Sequence, residues 1–270
     1  MKHSKPLSPE KQKGLLIDTV QCVGCMACFM ACKEINGLPN NDDEELNKDT
    51  FTVVKRIGGY YVRQLCMHCV NPACVSVCPV AALQKTPEGA VIYDAYRCIG
   101  CRYCMMACPF QIPTYEWHGM TPRVRKCFLC YHTRVVRGKP TACAEACPYG
   151  ATVFGTREQL LKIARKRILM HPKKYIPHIY GEKELGGTGT LFLAGVRFET
   201  FGFRSDFRNE PLPVLTWNVL NRLPDIVVMG GVMLAGVVWI INRRIELSRG
   251  QAPVQKTPHN EEKIRQDLQD

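Results

Sequence analysis

Cysteine is missing from the first 21 residues and from everything after residue 147, and no cysteine in between stands alone. All sixteen fall into four quartets, so no thiol is left over for a nucleophile or a nickel site. A C-x3-C-x2-C radical-type spacing is absent, and the histidines form no ligand spacing. The glycine-rich stretch GGTG (186–189) has neither a following lysine nor a preceding strand, so it reads as a turn and not as a phosphate cradle. At the N-terminus, MKHSKPLSPEKQKGLL contains no apolar h-region and no twin arginine, and does not read as an export signal. Acidic residues are scarce beside basic ones, 24 against 36, for a formal charge of +12. Together these gaps leave little material for a catalytic centre.

The spacing within the quartets carries the chemistry. Cys22, Cys25, Cys28, Cys32 and Cys98, Cys101, Cys104, Cys108 follow C-x2-C-x2-C-x3-C. Cys66, Cys69, Cys74, Cys78 follow C-x2-C-x4-C-x3-C, and Cys127, Cys130, Cys143, Cys147 follow C-x2-C-x12-C-x3-C. Three close thiolates wrap one face of an iron–sulfur cubane, while the fourth points to the other cluster of a two-cluster unit. Pro79, Pro109 and Pro148 turn the chain away after the last cysteine; Lys33 stands in that place in the first quartet and leaves its exit open. Zinc needs only two separated pairs, and a third cysteine three residues after the second, as at Cys28 and Cys104, is hard to place in a tetrahedral site. Disulfides between such near neighbours have poor geometry. Four complete quartets therefore predict four [4Fe-4S] clusters. At roughly −2 each these contribute about −8, so the basic excess reads as counter-charge for buried anions, and no nucleic-acid partner is needed. His68, inside CMHC, is a candidate donor to a cluster sulfur that would tune its potential, with plain packing as the alternative.

The expected fold is α+β: two pseudo-symmetric bacterial-type double ferredoxin units followed by one C-terminal transmembrane helix. FTVVKRI (51–57) and YYVRQ (60–64), joined by Gly58-Gly59, predict a β-hairpin. AVIYDAY (90–96) and ATVFGT (151–156) predict short strands, and NNDDEELNKD (40–49) a solvated loop. The T-x-x-Q pattern from Thr156 predicts a capped basic helix. Expected boundaries are a tail at 1–14, a cluster domain at 15–160, a basic helix and extension packing on partner or core at 161–222, an anchor at 223–242 and a polar tail at 243–270.

Four quartets in this order resemble the ferredoxin-type iron–sulfur electron-transfer subunits of respiratory membrane oxidoreductases. RQLCMHCVNPACVSVCPVAAL, CRYCMMACPFQIP, VFGTRE and PHIYGEKELGGTGTLFLAGV are most similar to the ferredoxin-like subunit of hydrogenase-2, and next to the formate dehydrogenase subunit. The resemblance implies that quartets pair two with three and one with four. Cys22, Cys25, Cys28 and Cys147 would then hold cluster 1, and Cys127, Cys130, Cys143 and Cys32 cluster 2. Cys66, Cys69, Cys74 and Cys108 would hold cluster 3, and Cys98, Cys101, Cys104 and Cys78 cluster 4. It also implies a non-catalytic subunit passing electrons between a catalytic partner and an integral membrane quinone-reactive subunit. The catalytic partner would be an uptake [NiFe] hydrogenase, or alternatively a molybdenum or tungsten formate dehydrogenase or a molybdopterin reductase of sulfur compounds or dimethyl sulfoxide.

One apolar run exists. Ile226 to Ile241 is uncharged and without proline, and with Leu223-Pro224-Asp225 it reaches about 28 Å as helix. Trp239 and Arg243-Arg244 suit a membrane boundary, so the run is expected to contact lipid as a single anchor, with a buried core helix as the alternative. It contains no His and no acidic residue in its interior, hence no haem ligand. Its small residues, Gly230, Gly231, Ala235 and Gly236, suit either close helix packing or ordinary tolerance in a membrane. Arg243, Arg244, Arg249 and Lys256 follow it; Arg208 and Arg222 precede it. That bias predicts a cytoplasmic C-terminus and a periplasmic cluster domain at the bacterial inner membrane, exported with a signal-bearing partner.

Overall fold

The computed structural model describes residues 8–117 and 122–250, in two units, 1–216 and 217–270. The first seven residues of the expected tail, and residues 251–270 with Lys256, lie outside the described residues.

The first unit is organised about strand β1 (Lys13–Asp18), whose GLLI core is buried on both faces. A strand covered on both sides reads as a continuous apolar run. It pairs antiparallel with β8 (Thr152–Thr156) and parallel with β9 (Thr190–Leu193), Leu15 lying opposite Phe154 on one side and Thr190 on the other. Alternation then sorts its side chains. Leu16 points into a layer with Leu160, Leu161 and Ala164 of helix α5 (Arg157–Met170), while Leu15 and Ile17 point into the layer that contains Cys143. Gly14 is required here, since a Cβ would collide with the Gly189 carbonyl.

The expected hairpin forms as β2 (Thr52–Ile57) and β3 (Tyr60–Leu65), with Gly58 and Gly59 at φ 56° and 83°. Of 90–96, only Val91–Tyr93 is strand, as β5 paired with β4 (Leu83–Lys85). Two-residue strands β6 (Thr114–Tyr115) and β7 (Val124–Arg125) form a third hairpin. The capping box is present: Gln159 N–H donates to Thr156 Oγ1 at 3.3 Å, and Thr156 N–H to Gln159 Oε1 at 3.0 Å.

Each quartet has a helix, and the residue after the last cysteine decides its length. Helices α2 (Ala73–Ser76), α3 (Tyr103–Met106) and α4 (Ala142–Glu145) have four residues each and stop before a Cys-Pro turn. With Lys33 in place of proline, α1 (Ala27–Asn36) runs on through Cys32 and ends at Gly37, φ 61°. Lys33 is itself buried, donating to the Pro39 carbonyl at 2.8 Å and to Asp43 at 3.1 Å. The 40–49 excursion, expected to be solvated throughout, is thus pinned at Asp43, which also accepts from Thr50.

The stretch beyond α5 packs on the core: it supplies β9, unassigned by the sequence reading, and an aromatic cluster of Tyr180, Phe192, Phe198 and Phe203. The GGTG stretch leads into β9 with Gly186 and Gly187 at φ 80° and 91°.

Helix α6 (Leu212–Leu220) precedes α7 (Leu223–Gly250), 28 residues or about 42 Å long. It extends past the expected end at 242 because Arg243–Gly250 holds helix-favouring residues and an Arg243–Glu246 pair at 3.2 Å. The apolar stretch has a mean hydropathy of 2.0 and none of it is buried, unlike a core helix. Among the described residues it is one helix long and apolar enough to cross a membrane.

Candidate iron–sulfur centres

None of the sixteen cysteines is in a disulfide, and their distribution in space differs from that in sequence. One cavity is lined by Cys22, Cys25 and Cys28 together with Cys147, from the far end of the cysteine-rich region. A second is lined by Cys32 with Cys127, Cys130 and Cys143. The first quartet is therefore divided: α1 carries Cys28 and Cys32 one turn apart, and they face different cavities. Cys66, Cys69, Cys74 and Cys108 form a third group whose charges act on one another. Cys98, Cys101 and Cys104 act on one another likewise, and Cys78 packs with Cys98 and Cys104 about Leu83 and Val91.

Loop geometry places these thiols. Gly24 sits at φ 71° in the first loop, where a Cβ would collide with the Tyr61 ring. Backbone amides turn inward to sulfur: Ala82 N–H lies 3.2 Å from Cys78 Sγ, Gly100 N–H 3.4 Å from Cys98 Sγ and Leu129 N–H 3.4 Å from Cys127 Sγ.

Burial pushes the Cys32 and Cys74 thiols up to about 12, and those of Cys69 and Cys127 well above their ordinary value. At Cys143 burial also acts upward, but Arg63 and the Thr141 hydroxyl outweigh it and the thiol falls below its ordinary value. Groups of thiols brought together yet denied ionisation by burial suit a cationic core, which deprotonates its ligands outright. No trio of His, Cys, Asp or Glu among the described residues is placed to hold a single metal ion. Iron–sulfur cores set their thiolates further apart than one ion would, and the donor set fits them.

Four further groups, which the sequence reading missed, line these sites. Arg63 of β3, 3% exposed, lines both of the first two cavities. Lys126, 2% exposed, places Nζ 3.8 Å from Cys66 Sγ. Lys85 Nζ donates to the carbonyls of His68 and Cys69, and burial lowers it to about 8 against the opposing pull of Cys69 and Cys66. Tyr115 Oη stands 2.8 Å from Cys104 Sγ. The only sequence signals were a charge on the buried face of an apolar hairpin and a lysine directly before Cys127. His68, the one candidate that was named, is 1% exposed; its Nδ1 accepts from Val91 N–H at 3.0 Å, which leaves the proton on Nε2 without a partner. Burial, then Lys126 and Lys85, hold this imidazole neutral, well below its ordinary range. A buried N–H with no acceptor among the described residues is a donor open to a ligand atom.

Cysteines in groups of four on short loops, backed by buried cations, define a ferredoxin-type iron–sulfur protein. Residues 57–157 match the family model described as a 4Fe-4S dicluster domain. The chain is 39% identical over 232 residues to the hydrogenase-2 operon protein HybA of Escherichia coli O157:H7, covering 69% of this chain and 71% of that one. It is 38% identical over 253 residues to a protein of Nitratidesulfovibrio vulgaris, covering 87% of this chain and 68% of the relative. To the iron-sulfur subunit of the nitrate-inducible formate dehydrogenase of E. coli K12 it is 32% identical over 198 residues, covering 66% of each. The chain belongs to this family, the iron–sulfur electron-transfer subunits of respiratory oxidoreductases.

Proposed function

We propose that the chain binds four [4Fe-4S] clusters and carries electrons, without catalysing a reaction itself, between a catalytic oxidoreductase subunit and a membrane quinone-reactive subunit. The ligand sets are Cys22, Cys25, Cys28 and Cys147; Cys32, Cys127, Cys130 and Cys143; Cys66, Cys69, Cys74 and Cys108; and Cys78, Cys98, Cys101 and Cys104. When bound, each group supplies one-electron acceptance and release. The observation that carries the reading is the pair of cavities in which cysteines from opposite ends of the cysteine-rich region converge four by four.

The protein's part is to hold the sites in series and keep water away. Arg63 lines the first and second sites, Lys126 touches the third and adjoins the second at Cys127, and Cys74 of the third lies within the electrostatic reach of Cys104 of the fourth. The exposed cysteines, Cys25 and Cys101, belong to the first and fourth sets, where electrons would enter and leave. An uptake [NiFe] hydrogenase is the favoured partner, supported by the match to the hydrogenase-2 operon protein over more of this chain than the formate dehydrogenase subunit covers. The cluster unit would be periplasmic and exported with a signal-bearing partner, with α7 as a single anchor.

Iron and acid-labile sulfide in anaerobically purified protein test the cofactor: about sixteen of each per chain are expected, and zinc without sulfide would refute it. Proteins retained in mild detergent decide the partner, a nickel–iron large subunit supporting the hydrogenase reading and a molybdenum or tungsten protein replacing it. Protease treatment of intact spheroplasts should cleave the cluster unit; protection reverses the orientation.

A further inference from the structure

The structure assigns to Arg63 and Lys126 a role as positioning charges: each is a buried cation shared by two successive cluster sites, and each raises the reduction potentials of the pair it lies between. This rests on the four-cluster reading and deepens it.

Arg63 reaches the interior from β3, its side chain donating from Nε to Thr52 Oγ1 at 2.8 Å and from Nη1 to Thr152 Oγ1 at 3.3 Å, and hydrogen-bonded also to the Cys143 thiol. No carboxylate among the described residues pairs with it. The ionisable groups that act on it are the thiols of Cys143, Cys28 and Cys32. Cys28 belongs to the first site, and Cys143 and Cys32 to the second. Lys126 is built the same way. Its Nζ donates to the Val91 carbonyl at 2.5 Å and to the Cys127 carbonyl at 2.9 Å, and lies 3.8 Å from Cys66 Sγ, again with no carboxylate among the described residues. Its Nζ thus lies between the Cys66 thiol of the third site and the backbone of Cys127 in the second, whose thiol is within electrostatic reach of Cys66.

A buried cation without a counter-ion is expensive to keep. Neutral hydroxyls and carbonyls solvate such a charge but do not cancel it. Among the described residues no carboxylate answers either charge, so the folded chain has positive charge set aside for ligands that would carry negative charge, as thiolate-bound iron–sulfur cores would. Each electron added to a site makes it more negative, and a fixed cation nearby stabilises the reduced form over the oxidised one. Placed between two sites, it acts on both and eases the repulsion between electrons on neighbouring sites. The fourth site is different: a phenol, Tyr115, 2.8 Å from Cys104, stands where the other sites have a buried cation.

The test is potentiometry of all four clusters, followed by low-temperature paramagnetic resonance, in the purified full chain. Arg63→Gln should lower two midpoint potentials, and Lys126→Met two, with one cluster common to both variants. The expected change is tenfold or more in each reduction equilibrium, 59 mV or more for one electron. Arg63→Lys and Lys126→Arg keep the charge and should keep the potentials. Unmoved potentials, four potentials moving alike, or a charge-conserving variant shifting as far as its neutral counterpart would overturn the assignment. If a neutral variant loses iron, full loading of its charge-conserving counterpart upholds the role of charge, and loss from both overturns it. Wild-type protein lacking iron would instead defeat the cluster reading itself, so the two failures are distinguishable.

Discussion

The phenol of Tyr115 meets the thiol of Cys104 at 2.8 Å, both groups buried, across the edge of the short hairpin formed by β6 and β7. Burial, then the hydrogen bond to Cys104, holds the phenol protonated well above its ordinary range, so Tyr115 is a donor to a thiolate and not a competing anion. Removing the hydroxyl in Tyr115→Phe takes away about 1 kcal/mol of differential stabilisation, about 40 mV for one electron. One cluster potential should fall by that amount while the others stay in place, read by redox titration of the holoprotein.

Asp18 closes β1 and fixes the loop that leads to Cys22. Its Oδ1 accepts from the amides of Val20 and Gln21, and its Oδ2 from Arg167 and from Tyr175, each at 2.8 Å. The carboxylate is fully buried. Asp18→Ala leaves Arg167 and two amides without their acceptor and should cost about 3 kcal/mol. Urea unfolding would read the loss.

Tyr175 supplies an alkaline limit. Burial, then its bond to Asp18, raises the phenol to about 12, above its ordinary value of about 10. A group raised on folding contributes stability that is complete below the unfolded value and is lost as pH passes through the folded one. Between about pH 10 and pH 12 the thermal midpoint should fall more steeply in the wild type than in Tyr175→Phe. Parallel curves would show that this phenol does not couple folding to pH.

The apolar helix makes a separate prediction. Leu234 lies at the middle of the uncharged run and is exposed in the chain. An arginine at the centre of a membrane helix costs about 3 kcal/mol. Leu234→Arg should therefore release a share of the protein from membranes in alkaline carbonate, whereas Leu247→Arg, beyond Arg243-Arg244, should not.

Much of this molecule is local, and local features can be read from sequence. The thiol intervals define loops of a fixed size, Gly58-Gly59 imposes a hairpin turn, and Thr156 with Gln159 caps a helix whatever surrounds it. The pairing of distant quartets was given by resemblance alone, and the cavities that join Cys147 to Cys22 are a property of the folded chain. Equally hidden was β9, since nothing in TLFL says that it will lie parallel to β1 from 170 residues away.

The sequence by itself determined how many thiols there are, how they are grouped and that one helix is apolar enough for a bilayer, because each follows from spacing and composition along the chain. Only the tertiary structure decided which charges are buried. Arg63 and Lys126 look like any basic residue in a chain with 36 of them. Their meaning comes from losing water between thiols, where a positive charge acts through a poorly polarisable medium and at short range.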